Sequence, residues 1–235
     1  MAKQQKLNPK EQNRLQLTQL LQNKAALKQD IAEDAEAVFL NLKETIKSEL
    51  VALRAIVPDD RVRLHFKERG DYEIHVYIGS DVLVFSLHHN VFRLPDHNPL
   101  WGTGYFQQNE NRGYFGVIYV YNFLAESLIQ NRLDDSGYLI SRLFVNHEKH
   151  FFIEGRTQLS GIFRDTARHQ WNDDICSLVV QMTFAYALSF DLYIPPYEIQ
   201  DEISVNQMNY MGETLKLQTG KRLGFKLKSE DTDIS

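Results

Sequence analysis

The sequence predicts an α+β fold in which a mainly antiparallel sheet of hairpins packs against a long amphipathic N-terminal helix and a buried helix in the C-terminal half. Three observations predict this fold. Apolar residues recur every three or four positions before Pro58, alternating apolar residues flank Gly70, and an apolar run extends over residues 175–190. The chain has 235 residues, of which 43% are hydrophobic and 24% charged, a composition typical of a globular protein with a well-buried core.

The N-terminal helix is predicted to begin at Asn8 and to end before Pro58. Asn8 is suited to the cap, Pro9 to the first helical position, and Glu11 to the closing position of a capping box. An apolar stripe with a period of about 3.6 residues follows, which indicates a helix lying on a globular surface rather than in a left-handed coiled coil. The stripe consists of Leu17, Leu20, Leu27, Ile31, Ala35, Val38, Leu42, Ile46, Leu50, Leu53 and Val57.

This helix is too long for one domain. Residues 9–56 would span about 72 Å at about 1.5 Å per residue, which exceeds the width of a domain of this size. Two alternatives follow. Either the helix breaks near Gln29 and Asp30, where residues 30–33 offer a second capping box, or its first half projects and packs on another subunit. The second alternative predicts a homodimer.

The strand pattern is clearest on both sides of Gly70. A three-residue loop over residues 69–71 would place Phe66 opposite Ile74 on an apolar face and Lys67 opposite Glu73 on a polar face. On that polar face His65 would stand opposite His75. Further strands are predicted at residues 82–87, 114–121, 138–145 and 150–154, a short helix at residues 123–133, and a last hairpin around residues 219–220.

The chain shows no repeat and no linker rich in proline, glycine or serine, so a single globular domain is predicted. Residues 1–57 form its helical N-terminal segment, which is one helix or two, residues 58–228 the α+β domain, and residues 229–235 a disordered acidic tail.

Charge and cysteine content limit the partners. The net charge of −5 gives no general attraction to nucleic acid, although basic residues before residue 29 could form a local arm that touches it. The N-terminus is too polar for a signal peptide, and Cys176 is the only cysteine. The apolar run 175–190 is shorter than the about 20 residues that a bilayer requires. These features predict a cytoplasmic protein without membrane contact, for which nucleic acid is not a favoured partner.

The first candidate site precedes the buried helix. Two arginines there could bind an anionic group together with the free N–H groups of a helix N-terminus, and a histidine beside them could act as acid or base. Asp173 and Asp174 favour a structural arginine–aspartate network instead. The residues predicted here are Arg164, Arg168 and Trp171 for ligand binding and His169 for catalysis.

The second candidate site is a long aromatic loop over residues 95–113. Connections of this length are uncommon unless they cover a ligand, bind a partner or close over the core. The loop is therefore predicted to be either a structural plug or a binding loop, and His97, Trp101 and Tyr105 are its candidate ligand-binding residues.

Other reactive residues are assigned to structure. No metal site and no cofactor are predicted. His65 and His75 would need a third ligand, for which His88 and His89 are the nearby candidates, but two histidines on an exposed sheet face are more often plain surface residues. Residues 147–150 lack the spacing of the zinc-protease motif. Cys176 is interpreted as a packing residue. The function predicted is that of a non-catalytic binding or regulatory protein, a homodimer whose target is a protein or an anionic small molecule. The alternative is an enzyme for a phosphate-bearing substrate that uses Arg164, Arg168 and His169.

Overall fold

The computed structural model describes residues 8–133, 135–156 and 158–191. It contains a 48-residue N-terminal helix, a seven-stranded antiparallel sheet and several shorter helices, so the predicted α+β fold is confirmed. The hairpin predicted around residues 219–220 and the tail over residues 229–235 lie outside the described residues.

The N-terminal helix has three consecutive stretches: α1 (Pro9–Gln19), a π-helical stretch (Leu20–Ala25) and α2 (Ala26–Ile56). The capping box forms as predicted, because the Asn8 side chain accepts a hydrogen bond from the backbone of Lys10 and Glu11 accepts one from the backbone of Asn8. The helix continues through Asp30 without a break, so the alternative of two helices is wrong. Neither α1 nor the π-helical stretch has a buried residue, and this first half projects beyond the domain.

The π-helical stretch changes the direction of the apolar stripe. A π turn holds about one residue more than an α turn, so the residues beyond it are rotated by up to about 100° relative to an unbroken α-helix. The leucines before the stretch therefore do not continue the face that α2 turns toward the sheet. That buried face of α2 consists of Ile31, Ala35, Val38, Phe39, Leu42, Lys43, Ile46 and Leu50.

The seven strands are all paired antiparallel, and six of them follow the order β1-β2-β3-β5-β6-β7, with β4 paired to β5. The strands are β1 (Leu64–Glu68), β2 (Glu73–Ile78), β3 (Asp81–Leu87), β4 (Phe92–Arg93), β5 (Tyr114–Leu124), β6 (Tyr138–Val145) and β7 (Phe151–Gly155). The shorter helices are α3 (Gly104–Gln108), α4 (Ala125–Ile129), α5 (Leu159–Ile162) and α6 (Asp173–Leu188). The helix predicted over residues 123–133 is thus confined to α4, because β5 extends to Leu124 to pair with Asp81.

The first hairpin forms, but its predicted register is wrong. Phe66 pairs with Val76 rather than with Ile74, because a longer turn closes through the N–H of Arg69 and the carbonyl of Glu73. A shift by two residues leaves every side chain on its predicted face. Ile74 is accordingly buried, whereas Phe66 on the edge strand is 37% exposed.

The predicted cross-strand ion pair of Lys67 with Glu73 is replaced by other contacts. The Lys67 ammonium lies 5.3 Å from the centre of the Tyr77 ring. On the opposite face of β1, the Glu68 carboxylate forms an ion pair with Nζ of buried Lys43 at 2.5 Å. This pair links the edge of the sheet to α2.

One face of the sheet carries the main core under α2 and α6. The predicted buried helix is α6, and its N-terminal end meets α2 where the Asn41 amide donates to Asp173 at 2.9 Å. The other face is covered at one end by α4 and at the other by an aromatic loop. Among the described residues, no helix combines the length and the apolar character that a bilayer crossing requires.

α2 approaches the sheet closely at Gly116, and this contact provides a test of the packing. A Cβ atom at this position would lie 2.3 Å from the Cβ of Ala35. We expect Gly116→Ala to lower the free energy of unfolding by about 1–3 kcal/mol, because α2 must move away from β5. Urea unfolding measures the change. Gly102→Ala, which meets no atom within 4 Å, is the control, and equal stability of both variants would contradict this packing.

Candidate functional site

Both predicted site segments are attached to the turn between β6 and β7, which is built on Asn146. Its side chain is fully buried, and its carbonyl oxygen accepts the backbone N–H groups of Glu148 and His150 at 3.0 Å each. Its amide nitrogen donates to the hydroxyl of Tyr105 at 2.9 Å. The Asn146 side chain therefore fixes the shape of the turn and also anchors the aromatic loop to it.

Glu148 is the second anchor of the loop. Its two carboxylate oxygens accept the Tyr105 hydroxyl at 2.9 Å and Nε of Arg112 at 3.0 Å. The Arg112 guanidinium also lies 4.2 Å from the centre of the Tyr105 ring. We call Tyr105, Arg112, Asn146, Glu148 and His150 the turn network.

Two pKa shifts show how charge is held in the turn network. Burial alone would raise the pKa of Glu148, but the hydrogen bonds from Arg112 and Tyr105 outweigh it and hold this pKa below its usual value. Burial raises the pKa of Tyr105 to about 12, and the neighbouring Glu148 acts in the same direction, whereas the Asn146 hydrogen bond opposes them. At neutral pH Glu148 is thus a carboxylate that accepts a hydrogen bond from an un-ionised Tyr105.

The segment that follows α5 contacts the other side of the same turn. Nδ1 of His150 lies 2.8 Å from the carbonyl oxygen of Thr166, and a carbonyl only accepts, so Nδ1 carries a proton. The Gln170 side chain donates to the carbonyl oxygen of Glu148 at 3.0 Å. The backbone N–H of Trp171 donates to the carbonyl oxygen of Lys149 at 2.8 Å. The turn thus lies between the aromatic loop and residues 164–171.

The aromatic loop closes over one end of the sheet. Phe106 is buried against Phe115, Phe152 and Leu94. The Trp101 ring lies directly over Gly113, where an added Cβ would come within 2.1 Å of it. These contacts agree with the plug interpretation of residues 95–113.

The loop also borders an open cleft of about 360 Å³. Trp101 lines it, and the Arg93 guanidinium lies 4.9 Å from the centre of the Trp101 ring and is ion-paired with Asp96. His97 is exposed on the same loop. The loop therefore combines a structural plug with a wall of a surface cleft.

The predicted cluster over residues 164–171 is spread over different surroundings. Arg164 and Arg168 are exposed, and Nε of Arg168 is paired with Asp165 at 3.0 Å. The ring of His169 is half-buried, 5.0 Å from that of Phe163. Trp171 is buried in the main core, and its indole donates to the side chain of Asn41 at 2.9 Å. The contacts of this cluster include the ion pair of Arg168 with Asp165. An anion site formed by these residues stays a prediction.

The histidines of the first hairpin do not stand opposite each other, contrary to the predicted register. His65 pairs with Tyr77 and stacks on its ring at 4.5 Å, whereas Nε2 of buried His75 lies 2.6 Å from the carboxylate of Glu73. In the three described stretches of the chain, no group of three or more histidine, cysteine or acidic residues has a geometry that could hold a metal ion.

Most of the turn network was missed by reading the sequence. Asn146 follows the strand predicted at residues 138–145, and an asparagine whose side chain closes a turn on its own backbone is a recognised signal. The contacts of Glu148 with Tyr105 and Arg112 bridge 43 and 36 residues of chain, and no local pattern marks them.

Comparisons with known proteins give no family. No model of a protein family matches the chain, and neither the curated proteins nor the solved structures contain a significant match.

The importance of Asn146 can be measured. Asn146→Ala removes the acceptor of two backbone N–H groups and a donor to Tyr105, so we expect unfolding to require about 2–3 kcal/mol less free energy. Chemical denaturation followed by tryptophan fluorescence reports it. Asn111→Ala at an exposed position is the control. A loss below about 0.5 kcal/mol would show that the turn does not depend on this side chain.

Cys176 offers a second test, because it is the only thiol in the chain. It is fully buried, its Sγ lies 3.2 Å from the Thr45 hydroxyl, and burial raises its pKa to about 11. We expect an aromatic disulfide reagent at neutral pH to react with the native protein only as fast as α6 opens, and with the urea-unfolded protein at once. Rapid reaction of the native protein would place the thiol at an accessible position.

Proposed function

We propose that this chain is a non-catalytic binding protein that acts as a homodimer. The N-terminal helix forms the contact between the two copies, and the end of the sheet around the turn network forms the target surface. The observation that carries the proposal is the projecting half of the helix, which exposes Leu17, Leu20 and Leu21 to 60%, 56% and 66%. We call these three residues the leucine stripe.

An unpacked helix of this length needs a partner. The first buried residue of the helix is Ile31, so residues 9–30 span about 33 Å before the first buried position. Isolated helices in water are marginal, and most helical stability in proteins comes from packing of an apolar face. Contact with a second copy supplies that packing and removes the leucine stripe from water.

Two neighbouring cavities at the base of the projecting helix support the proposed target surface. Ala32 and Glu36 line a small cavity together with Tyr72 and His88. Tyr72 and His88 also line an open cleft of about 340 Å³ that reaches Ser86 and Tyr119 on the uncovered face of the sheet. The cleft beside Trp101, exposed His97 and residues 164–171 supply further surface for a protein or an anionic small molecule.

Binding is favoured over catalysis by how the polar groups are used. The carboxylate of Glu148 is engaged by Tyr105 and Arg112, and Arg168 is engaged by Asp165. A general base must reach the proton that it removes, and a group held by such internal bonds is poorly placed for this task. The enzyme alternative with Arg164, Arg168 and His169 is the weaker proposal, because their contacts lead into different surroundings.

Self-association is tested by light scattering during size-exclusion chromatography. We expect a mass twice the 27.4 kDa of one chain, and we expect Leu17→Gln/Leu20→Gln/Leu21→Gln to give the mass of one chain. The matched control replaces three other exposed apolar residues, Val51, Ile56 and Leu133, by glutamine and should remain dimeric. A wild-type chain that stays monomeric at high concentration would refute the homodimer.

A further inference from the structure

We propose that the N-terminal helices of two copies pair antiparallel, with the π-helical stretch Leu20–Ala25 at the centre of the pair. This inference rests on the proposed homodimer and adds the orientation of the two helices. The geometry and the charge of the helix both point to it.

The charge of the helix changes sign where the projecting half joins the domain. Residues 8–28 hold four cations and one anion, which gives +3, and residues 29–36 hold four anions and no cation, which gives −4. The cations are Lys10, Arg14, Lys24 and Lys28, the anion among them is Glu11, and the acidic residues that follow are Asp30, Glu33, Asp34 and Glu36. A parallel pair would place like charges side by side over its whole length, whereas an antiparallel pair can place Lys10 and Arg14 of each helix beside the acidic segment of the other.

The acidic segment is available for such a contact. Asp30 and Glu33 are exposed, and the side chains of Asp34 and Glu36 are only half-buried. Lys149 forms a partly exposed ion pair with Asp34 at 3.8 Å, which offsets one of the four negative charges of the segment. The base of the helix therefore presents a negative surface to whatever lies beside it.

An antiparallel pair centred on residue 22 extends over residues 8–36 of each copy. In this arrangement Lys10 stands beside Asp34 of the partner, Arg14 beside Asp30 of the partner, and Leu17 beside Leu27 of the partner. The paired length is about 43 Å, which is eight helical turns. Such a length is sufficient for two helices to form a specific interface rather than an incidental contact.

The π-helical stretch lies at the centre of this pair and sets the direction in which the leucine stripe faces. Because it rotates the leucine stripe away from the core-facing side of α2, each helix can contact a partner without losing contact with its own sheet. The basic arm is thereby also assigned to a protein partner. Binding of nucleic acid would use the cations but would leave Leu17, Leu20 and Leu21 in water.

Charge exchange tests the orientation in the full chain, with dissociation constants from sedimentation equilibrium. Lys10→Glu/Arg14→Glu should weaken the dimer about tenfold, and Asp30→Lys/Asp34→Lys should do the same, because each leaves like charges in contact. Combining all four changes should restore the affinity to within about threefold. Arg61→Glu/Arg168→Glu, two exposed arginines whose reversal changes the net charge as much as the first variant does, is the control and should not weaken it.

Salt dependence and cross-linking separate this inference from the proposed function. An antiparallel dimer should weaken as salt rises, whereas a parallel one should strengthen. With Cys176→Ser as background, Lys10→Cys chains should form a disulfide with Asp34→Cys chains and not with each other, since residues 10 of the two copies would lie about 36 Å apart. Disulfides between two Lys10→Cys chains in a dimeric protein would overturn the orientation alone. A chain that is monomeric under all conditions would overturn the homodimer as well.

Discussion

The contact between α2 and the sheet is the constraint on which the other parts of the structure depend. α2 crosses the sheet close enough for Ala35 to touch Gly116, and its buried side chains pack against the sheet, chiefly against β5. α6 packs beside it, and Trp171 at the entry to α6 donates to Asn41 of α2. Because α2 is fixed along this length, the direction in which the preceding helix leaves the domain is fixed too. The core therefore sets the direction of the projecting half.

The parts that could be predicted from the sequence are those governed by local periodicity. The apolar stripe from Ile31 to Leu50, the capping box at Asn8 and the alternation on both sides of Gly70 depend on residues a few positions apart, and each appears in the structure. The prediction that the same stripe already packs on a globular surface at Leu17 and Leu20 is wrong, because both side chains are exposed. The hairpin register was missed because the number of residues in a turn depends on which N–H closes it, here that of Arg69. The extent of β5 was missed for a related reason. Its last residues resemble a helix start, and only pairing with β3 extends the strand to Leu124.

The candidate site could be predicted only in part, because its contacts join distant segments. Tyr105 was singled out for its aromatic loop, and it does lie in the turn network. Arg112 and Glu148 carry no local signal, since a charged residue in a loop resembles any solvated side chain. The prediction for residues 164–171 grouped side chains by proximity in the sequence. In the structure Trp171 enters the core while Arg164 and Arg168 point to solvent, so neighbours in the chain occupy different surroundings.

We propose that the projecting half of the N-terminal helix needs a second copy of the chain to stay helical. Hydrogen exchange at the backbone amides of residues 9–30, measured over a range of protein concentrations, tests this claim most directly. Slow exchange at high concentration that becomes fast on dilution, with unchanged protection of α2 beyond Ile31, is the result that a homodimer predicts. Exchange in this segment that is independent of concentration would contradict it.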